Sequence, residues 1–247
     1  MQDTTSQDET SQGETSQDDA ALPAAVWPEG QKYTRWKGET VFATLFQDTA
    51  AYHPALRATI ERLARDRDFA APFDGMVGSR KVFDIERWDC PAAQLLHRRA
   101  LDLFKKALGP GPAEIDLTWA TLYRKGDHCM AHSHPRAYAS LVYVLDPGGA
   151  PEDGRELGGD FLFADPRMKS CCPEEEGCMS NPSAPATQEG LLMLFPGKTV
   201  HMVTPYFGEQ PRITLSWNIN REAIPGRPLS ERIREKMWEV HGGREWP

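Results

Sequence analysis

Apolar residues recur at two different periods along this chain, and the change of period divides it. From Pro54 to Arg67, Leu56, Ile60, Leu63 and Ala64 return at helical spacing among Arg, Glu and Asp, which predicts an amphipathic helix. A second helix is expected from about Pro91 to Leu108. There Leu96, Ala100, Leu103, Phe104 and Ala107 form one stripe, Pro91 suits a first turn, and Gly109-Pro110 marks the stop. Both stripes read as core-packing faces. After Pro112 the period falls to two: Ile115, Leu117, Trp119, Thr121 and Tyr123 alternate with Asp116, Thr118 and Ala120, the pattern of a half-buried strand. Further short strands are expected at 138–145, 158–164, 191–195, 199–204 and 211–219, with Gly and Pro between them, and a last helix from about Ser230 to Val240. Helices first and many short strands afterwards predict a mainly β fold. A double-stranded β-helix, the jelly-roll or cupin-like arrangement, buttressed by N-terminal and C-terminal α-helices, satisfies that order.

The N-terminus breaks both periods. Residues 5–19 read TSQDE, TSQGE, TSQDD, a polar and acidic repeat with no apolar side chain whose burial would offset the entropy of ordering. Residues 1–24 are therefore expected to be a disordered tail, and 25–247 a single domain with its jelly-roll core at about 112–220.

Charge narrows the partners. A net charge of -8 and a pI near 5.4 exclude a long basic footprint for nucleic acid or anionic lipid, which are bound largely through Lys and Arg. A small molecule or a protein is the expected partner, and nothing in the chain fixes an oligomeric state. No stretch approaches the roughly 20 consecutive apolar residues of a spanning helix, and the N-terminus shows neither a basic start nor an apolar signal region. The expected location is the cytoplasm. The 5 Cys are odd in number, and Cys171, Cys172 and Cys178 crowd together. Their spacing lacks the paired short intervals of a zinc knuckle, so they read as reduced thiols.

The chemistry gathers on the strands. His132 and His134 are two apart, so on extended chain both project to one face and can grip one ion. His201, on a short apolar strand after Phe195-Pro196-Gly197, is the best third ligand, because a buried imidazole needs a partner or a metal. In the last strand Arg212, Thr214, Ser216 and Asn218 share one parity while Ile213, Leu215, Trp217 and Ile219 hold the other. Either the polar face meets solvent, or it lines a cavity in which a guanidinium and a hydroxyl grip a carboxylate.

The runs HSHPRAYASLVYVLDPG, GGDFLFADPR, GLLMLFPGKTVHMVTPY and PRITLSWN, in that order over roughly residues 118–220, resemble the 2-oxoglutarate and iron(II)-dependent oxygenase superfamily. The resemblance implies a double-stranded β-helix, Fe(II), 2-oxoglutarate as co-substrate and O2 as oxidant, with release of succinate and CO2. It puts His132 and His201 on iron, and Arg212 with Thr214 on the distal carboxylate of 2-oxoglutarate. Hydroxylation of a small molecule is the expected reaction. Tyr123 and Asn218 are further candidates for the co-substrate pocket.

The chain departs from the superfamily's HxD or HxE, for His134 stands where the acid would be. Three histidines, a smaller ligand set, or a carboxylate from Asp160 or Asp165 would each complete the site. A neutral third ligand leaves it one unit more positive, with room for chloride as in halogenating relatives. A three-histidine dioxygenase or halogenase, or a metal-binding jelly roll without turnover, are the competing readings. Gly158-Gly159 suggests a tight approach or bulge. Arg167 either meets an acidic substrate group or pairs with Asp165, and the segment 168–189 that follows it is a candidate lid.

Overall fold

A computed structural model describes residues 22–36, 38–149, 156–172 and 182–243. The polar repeat and Cys178 lie outside the described residues, as does the middle of the segment 168–189. In chain order the elements are β1 (Thr34–Arg35), β2 (Phe42–Leu45), α1 (His53–Leu63), β3 (Ala70–Gly75), β4 (Gly78–Phe83) and α2 (Pro91–Leu108). Then follow β5 (Glu114–Tyr123), β6 (Cys129–His132), β7 (Ala139–Asp146), β8 (Phe161–Phe163), β9 (Leu191–Pro196), β10 (His201–Val203), β11 (Arg212–Asn220) and α3 (Leu229–His241).

The strands form two antiparallel sheets. The larger runs β1-β2-β9-β7-β11-β5-β4-β3, and the smaller runs β6-β10-β8. This is the double-stranded β-helix with its helices on the outside. Four of the large sheet's strands, β1 to β4, precede α2, so the chain does not simply run helices and then strands. These strands are short, and β3 opens Ala-Ala-Pro without a β-branched residue, so period and propensity both understate them.

The central strand β11 lies between β5 and β7 and is buried along its whole length. Its apolar parity, Ile213 to Ile219, packs with Leu141, Tyr143, Leu192 and Leu194 against α1 and α2 in the largest core cluster. The α2 stripe from Leu96 to Phe104 is buried there as its spacing predicts, with Ala107 partly buried against it. The opposite faces of β7 and β9, with Val142, Val144, Met193 and Phe195, meet Phe161, Phe163 and Val203 of the small sheet in a second core. The polar parity of β11 is therefore turned toward the space between the sheets, away from solvent.

Two expected elements, a strand and a helix, are shorter in the structure. The one at 158–164 contracts to β8 because Gly158 and Gly159 both hold positive φ, at 66° and 69°, which extended pairing does not use. Helix α1 stops at Leu63, where Arg65 and Asp66 donate to the carbonyls of Arg62 and Leu63 and tighten the last turn. Helix α3 lies along β3. Arg234 donates to Asp84 at 2.6 Å, and the Trp238 indole donates to the Ala70 carbonyl at 2.7 Å. Among the described residues no helix is long and apolar enough to cross a membrane.

Candidate metal and co-substrate site

Register builds the histidine cluster. Strand β10 pairs antiparallel with β6 so that His201 stands directly opposite His132. His134 follows β6 in a turn whose backbone N–H donates to the Gly197 carbonyl at 2.6 Å. A Cβ on Gly197 would sit 2.2 Å from the Ala137 carbonyl oxygen and 2.7 Å from that of His134, so only glycine lets this turn close. The rings of His132 and His201 are 4.3 Å apart between centroids, and His134 lies 5.0 and 5.2 Å from them.

Hydrogen bonding fixes two of the tautomers. His132 Nδ1 lies 2.7 Å from the Met130 carbonyl and His201 Nδ1 lies 2.9 Å from the Thr199 carbonyl. A carbonyl only accepts, so each Nδ1 carries the proton and each Nε2 keeps a lone pair for a metal, the usual orientation of ligating imidazoles. Burial pushes the His132 and His201 pKa values below the ordinary range. Burial, with the neighbouring His132 and Lys81, takes His134 down to about 3. All three are held neutral, the form that ligates metals.

The three nitrogen donors lie within 4.8 Å of one another. Bonds of about 2 Å to a shared ion would bring such donors within about 4 Å, which small rotations supply. Among the described residues no Asp, Glu or Cys joins them. Asp165 is committed elsewhere: it accepts from Arg167 Nε at 2.8 Å and from the Val200 N–H at 3.0 Å, and these bonds lower its pKa to about 2. Arg167 is mostly exposed and also donates to the Lys198 carbonyl, so its fork is engaged within this turn. Asp160 is exposed, at the Thr204 end of the small sheet.

Beside the histidines, the inner face of β11 supplies the polar wall. Arg212 pairs across β5 with Tyr123 and Thr214 pairs with Thr121, and all four side chains face the same cavity as the histidines. The Arg212 guanidinium stacks over the Tyr123 ring at 5.0 Å, and its Nη1 is buried without a hydrogen-bond partner. Burial lowers the Arg212 pKa, and burial likewise raises that of Tyr123. Gly159 leaves room for this arginine, because a Cβ there would lie 2.8 Å from Arg212 Cδ. Asn218 points into a neighbouring pocket instead, and its Oδ1 accepts from Ser140.

Residues 117–218 match a family model described as "Putative 2OG-Fe(II) oxygenase". Over these residues the chain is similar to the 2OG-Fe(II) oxygenases.

Solved structures agree on the fold. A prolyl-4-hydroxylase from Pseudomonas putida superposes with a TM-score of 0.52 at 19% identity, over 75% of this chain and 94% of that one. A prolyl hydroxylase from Trichoplax adhaerens, in complex with a hypoxia inducible factor peptide fragment, gives 0.55 at 14% identity, over 73% and 84%. The non-haem α-ketoglutarate-dependent epimerase SnoN from nogalamycin biosynthesis gives 0.53 at 13%, over 75% and 79%. A comparison with curated protein sequences finds no match. That similarity implies Fe(II), 2-oxoglutarate and O2. The chain's residues fit both groups: three neutral imidazoles suit iron, and an unpartnered buried guanidinium suits a carboxylate.

Reading the sequence alone missed Lys81, Trp119, Cys129 and Phe161 as site residues, which also face the cavity, as does Ser216 of the polar parity. Trp119 and Ser216 lie on the inner parity of the two strands that carry Tyr123 and Arg212, a signal already present in the alternation.

Proposed function

We propose that this chain is an oxygenase that hydroxylates a small molecule, holding iron through His132, His134 and His201 and the distal carboxylate of 2-oxoglutarate through Arg212 and Thr214. The observation that carries this reading is the buried Nη1 of Arg212, unpaired and facing the same cavity as the three imidazoles. A buried guanidinium without an anion is strongly unfavourable, and a carboxylate seated on its fork removes that cost. When bound, iron and 2-oxoglutarate supply an O2-driven oxidation that consumes the co-substrate to succinate and CO2.

The protein's own part is positioning and shielding. The Met130 and Thr199 carbonyls aim two imidazoles, the Tyr123 ring stacks on the guanidinium, and Gly159 leaves room for the Arg212 side chain. Phe161 and Phe195 pack against the His201 ring at 5.3 and 4.9 Å and keep water from that side. A small molecule is favoured over a chain because the pocket beside His134 encloses about 280 Å3, near the lower end of small-ligand sites.

Succinate release tests the assignment. Fe(II)-loaded protein given 2-oxoglutarate and O2 should form succinate even without substrate, slowly, and His201→Ala should abolish it. Equal succinate from both proteins would remove iron from this site.

A further inference from the structure

Among the described residues the metal cavity is lined by two cations, Arg212 and Lys81, and by no carboxylate. In the usual triad an acidic ligand and one arginine balance each other, while iron(II) and 2-oxoglutarate dianion cancel. Here His134 replaces the acid and Lys81 adds a second cation, so the loaded site keeps an uncompensated positive charge. Such an excess in a water-poor cavity needs an anion.

Lys81 stands where that anion would arrive. Strand β4 pairs with β5 so that Lys81 faces Thr121, on the inner side of the large sheet. Its ammonium lies over the Trp119 ring at 5.4 Å and the Phe73 ring at 5.1 Å. It makes no ion pair or hydrogen bond among the described residues. The Trp119 indole donates to Thr121 at 3.0 Å, which fixes that ring, and its centroid is 5.6 Å from that of His134. Lys81, Trp119 and His134 thus form the partition between the metal cavity and the adjoining pocket, which all three also line.

That pocket has an apolar wall, Phe73 and Phe83 from the β3–β4 hairpin, Leu117 from β5, and Leu229 and Ile233 from α3, and a polar edge of Ser133, Arg136 and Asn218. Its one carboxylate among the described residues, Asp116, accepts from Arg136 through Oδ1 at 2.8 Å, keeps a buried Oδ2 without a hydrogen-bond partner, and makes no ion pair with Lys81. Building on the oxygenase reading above, we propose that the primary substrate is a carboxylic acid with an apolar, ring-sized body. The carboxylate sits on Lys81, and the body fills the pocket between the β3–β4 hairpin and α3. This arrangement would hold the substrate beside His134 without competing for Arg212.

Binding to the anaerobic full chain loaded with Fe(II) and 2-oxoglutarate tests this, by calorimetry or ligand-observed NMR. The probes are 3-phenylpropanoate and its neutral isostere 3-phenylpropanamide. The acid should bind wild type at least about tenfold more tightly than the amide, the scale of one charge-assisted hydrogen bond. Lys81→Met should bring the acid down to the amide, and Lys81→Arg should restore the preference and guard against a folding artefact. Equal binding of the two probes, no binding of the acid at millimolar concentration, or a preference that survives Lys81→Met would overturn the proposal. The visible Fe(II)–2-oxoglutarate absorption is read in the same samples. Its loss in Lys81→Met alone would assign the lysine to the co-substrate and also overturn the proposal. Its absence from wild type with the acid preference intact would sink the co-substrate reading and leave the anion pocket standing.

Discussion

Arg99 and Arg212 are both buried, at 0% and 1% exposure, and they meet opposite surroundings. Arg99, on the helix-covered side of the large sheet, donates to both carboxylate oxygens of Asp48 and to the Val26 carbonyl at 2.8 Å, and lies over the Phe46 ring at 4.3 Å. Arg212, on the inner face, has an aromatic ring beneath it and a buried nitrogen with nothing to donate to. The same side chain is a finished structural element in one place and an unfinished binding group in the other. The distinction extends to the faces around them: the outer core is apolar with satisfied polar groups such as the His53–Tyr143–Tyr52 chain, whereas the inner face carries neutral histidines and unpaired cations.

Exchanging the two arginines for alanine should separate these roles. Arg99→Ala should give the largest loss of stability, about 3–5 kcal/mol, because it strands Asp48 and removes packing on Phe46. In urea melts this appears as a fall in the midpoint, while the KM for 2-oxoglutarate in the folded fraction stays unchanged. Arg212→Ala should reverse the pattern. Affinity for 2-oxoglutarate should fall roughly 100-fold, about 2.7 kcal/mol, while unfolding free energy shifts by less than about 1 kcal/mol, since an uncompensated charge is being removed. If Arg212→Ala unfolded the protein as readily as Arg99→Ala, the contrast would collapse.

A smaller effect separates the faces by pH. The three site histidines have folded-state pKa values below the ordinary 6.5, with His134 at about 3. Between those limits the unfolded chain binds protons that the metal-free folded protein refuses, so stability falls as pH falls through that window and these groups add no slope above it. Replacing His134 with Gln should flatten part of that slope in urea midpoints taken from pH 7 to 4. An unchanged slope would mean that His134 is not held neutral by its surroundings.

Much of this division was legible in the chain. The alternation in β11 already separates Arg212, Thr214 and Ser216 from Ile213, Leu215 and Trp217, and the structure turns the polar set inward. The HxH pair and His201 converge because register brings His132 opposite His201 and the turn closed on Gly197 brings His134 beside them. Lys81 was not legible, because β4 is recognisable only beside β5. Its polar Ser-Arg-Lys run carries no apolar period, and the strand gains its meaning from a partner some forty positions later. Strand β6 was hidden for a related reason: four residues, with Met130 exposed, leave no alternation to read. Asn218 shares the parity of Arg212 but lies far enough along the twisted strand to serve the next pocket.

The most direct test of the account is an anaerobic titration of Fe(II) and 2-oxoglutarate into wild type, Arg212→Ala, His134→Ala and His134→Asp, followed by the weak visible metal-to-ligand absorption. The account predicts the band in wild type, a band demanding far more 2-oxoglutarate in Arg212→Ala with iron still bound, weakened iron binding in His134→Ala, and iron binding restored in His134→Asp. Iron bound to wild type with no band at saturating 2-oxoglutarate would contradict it.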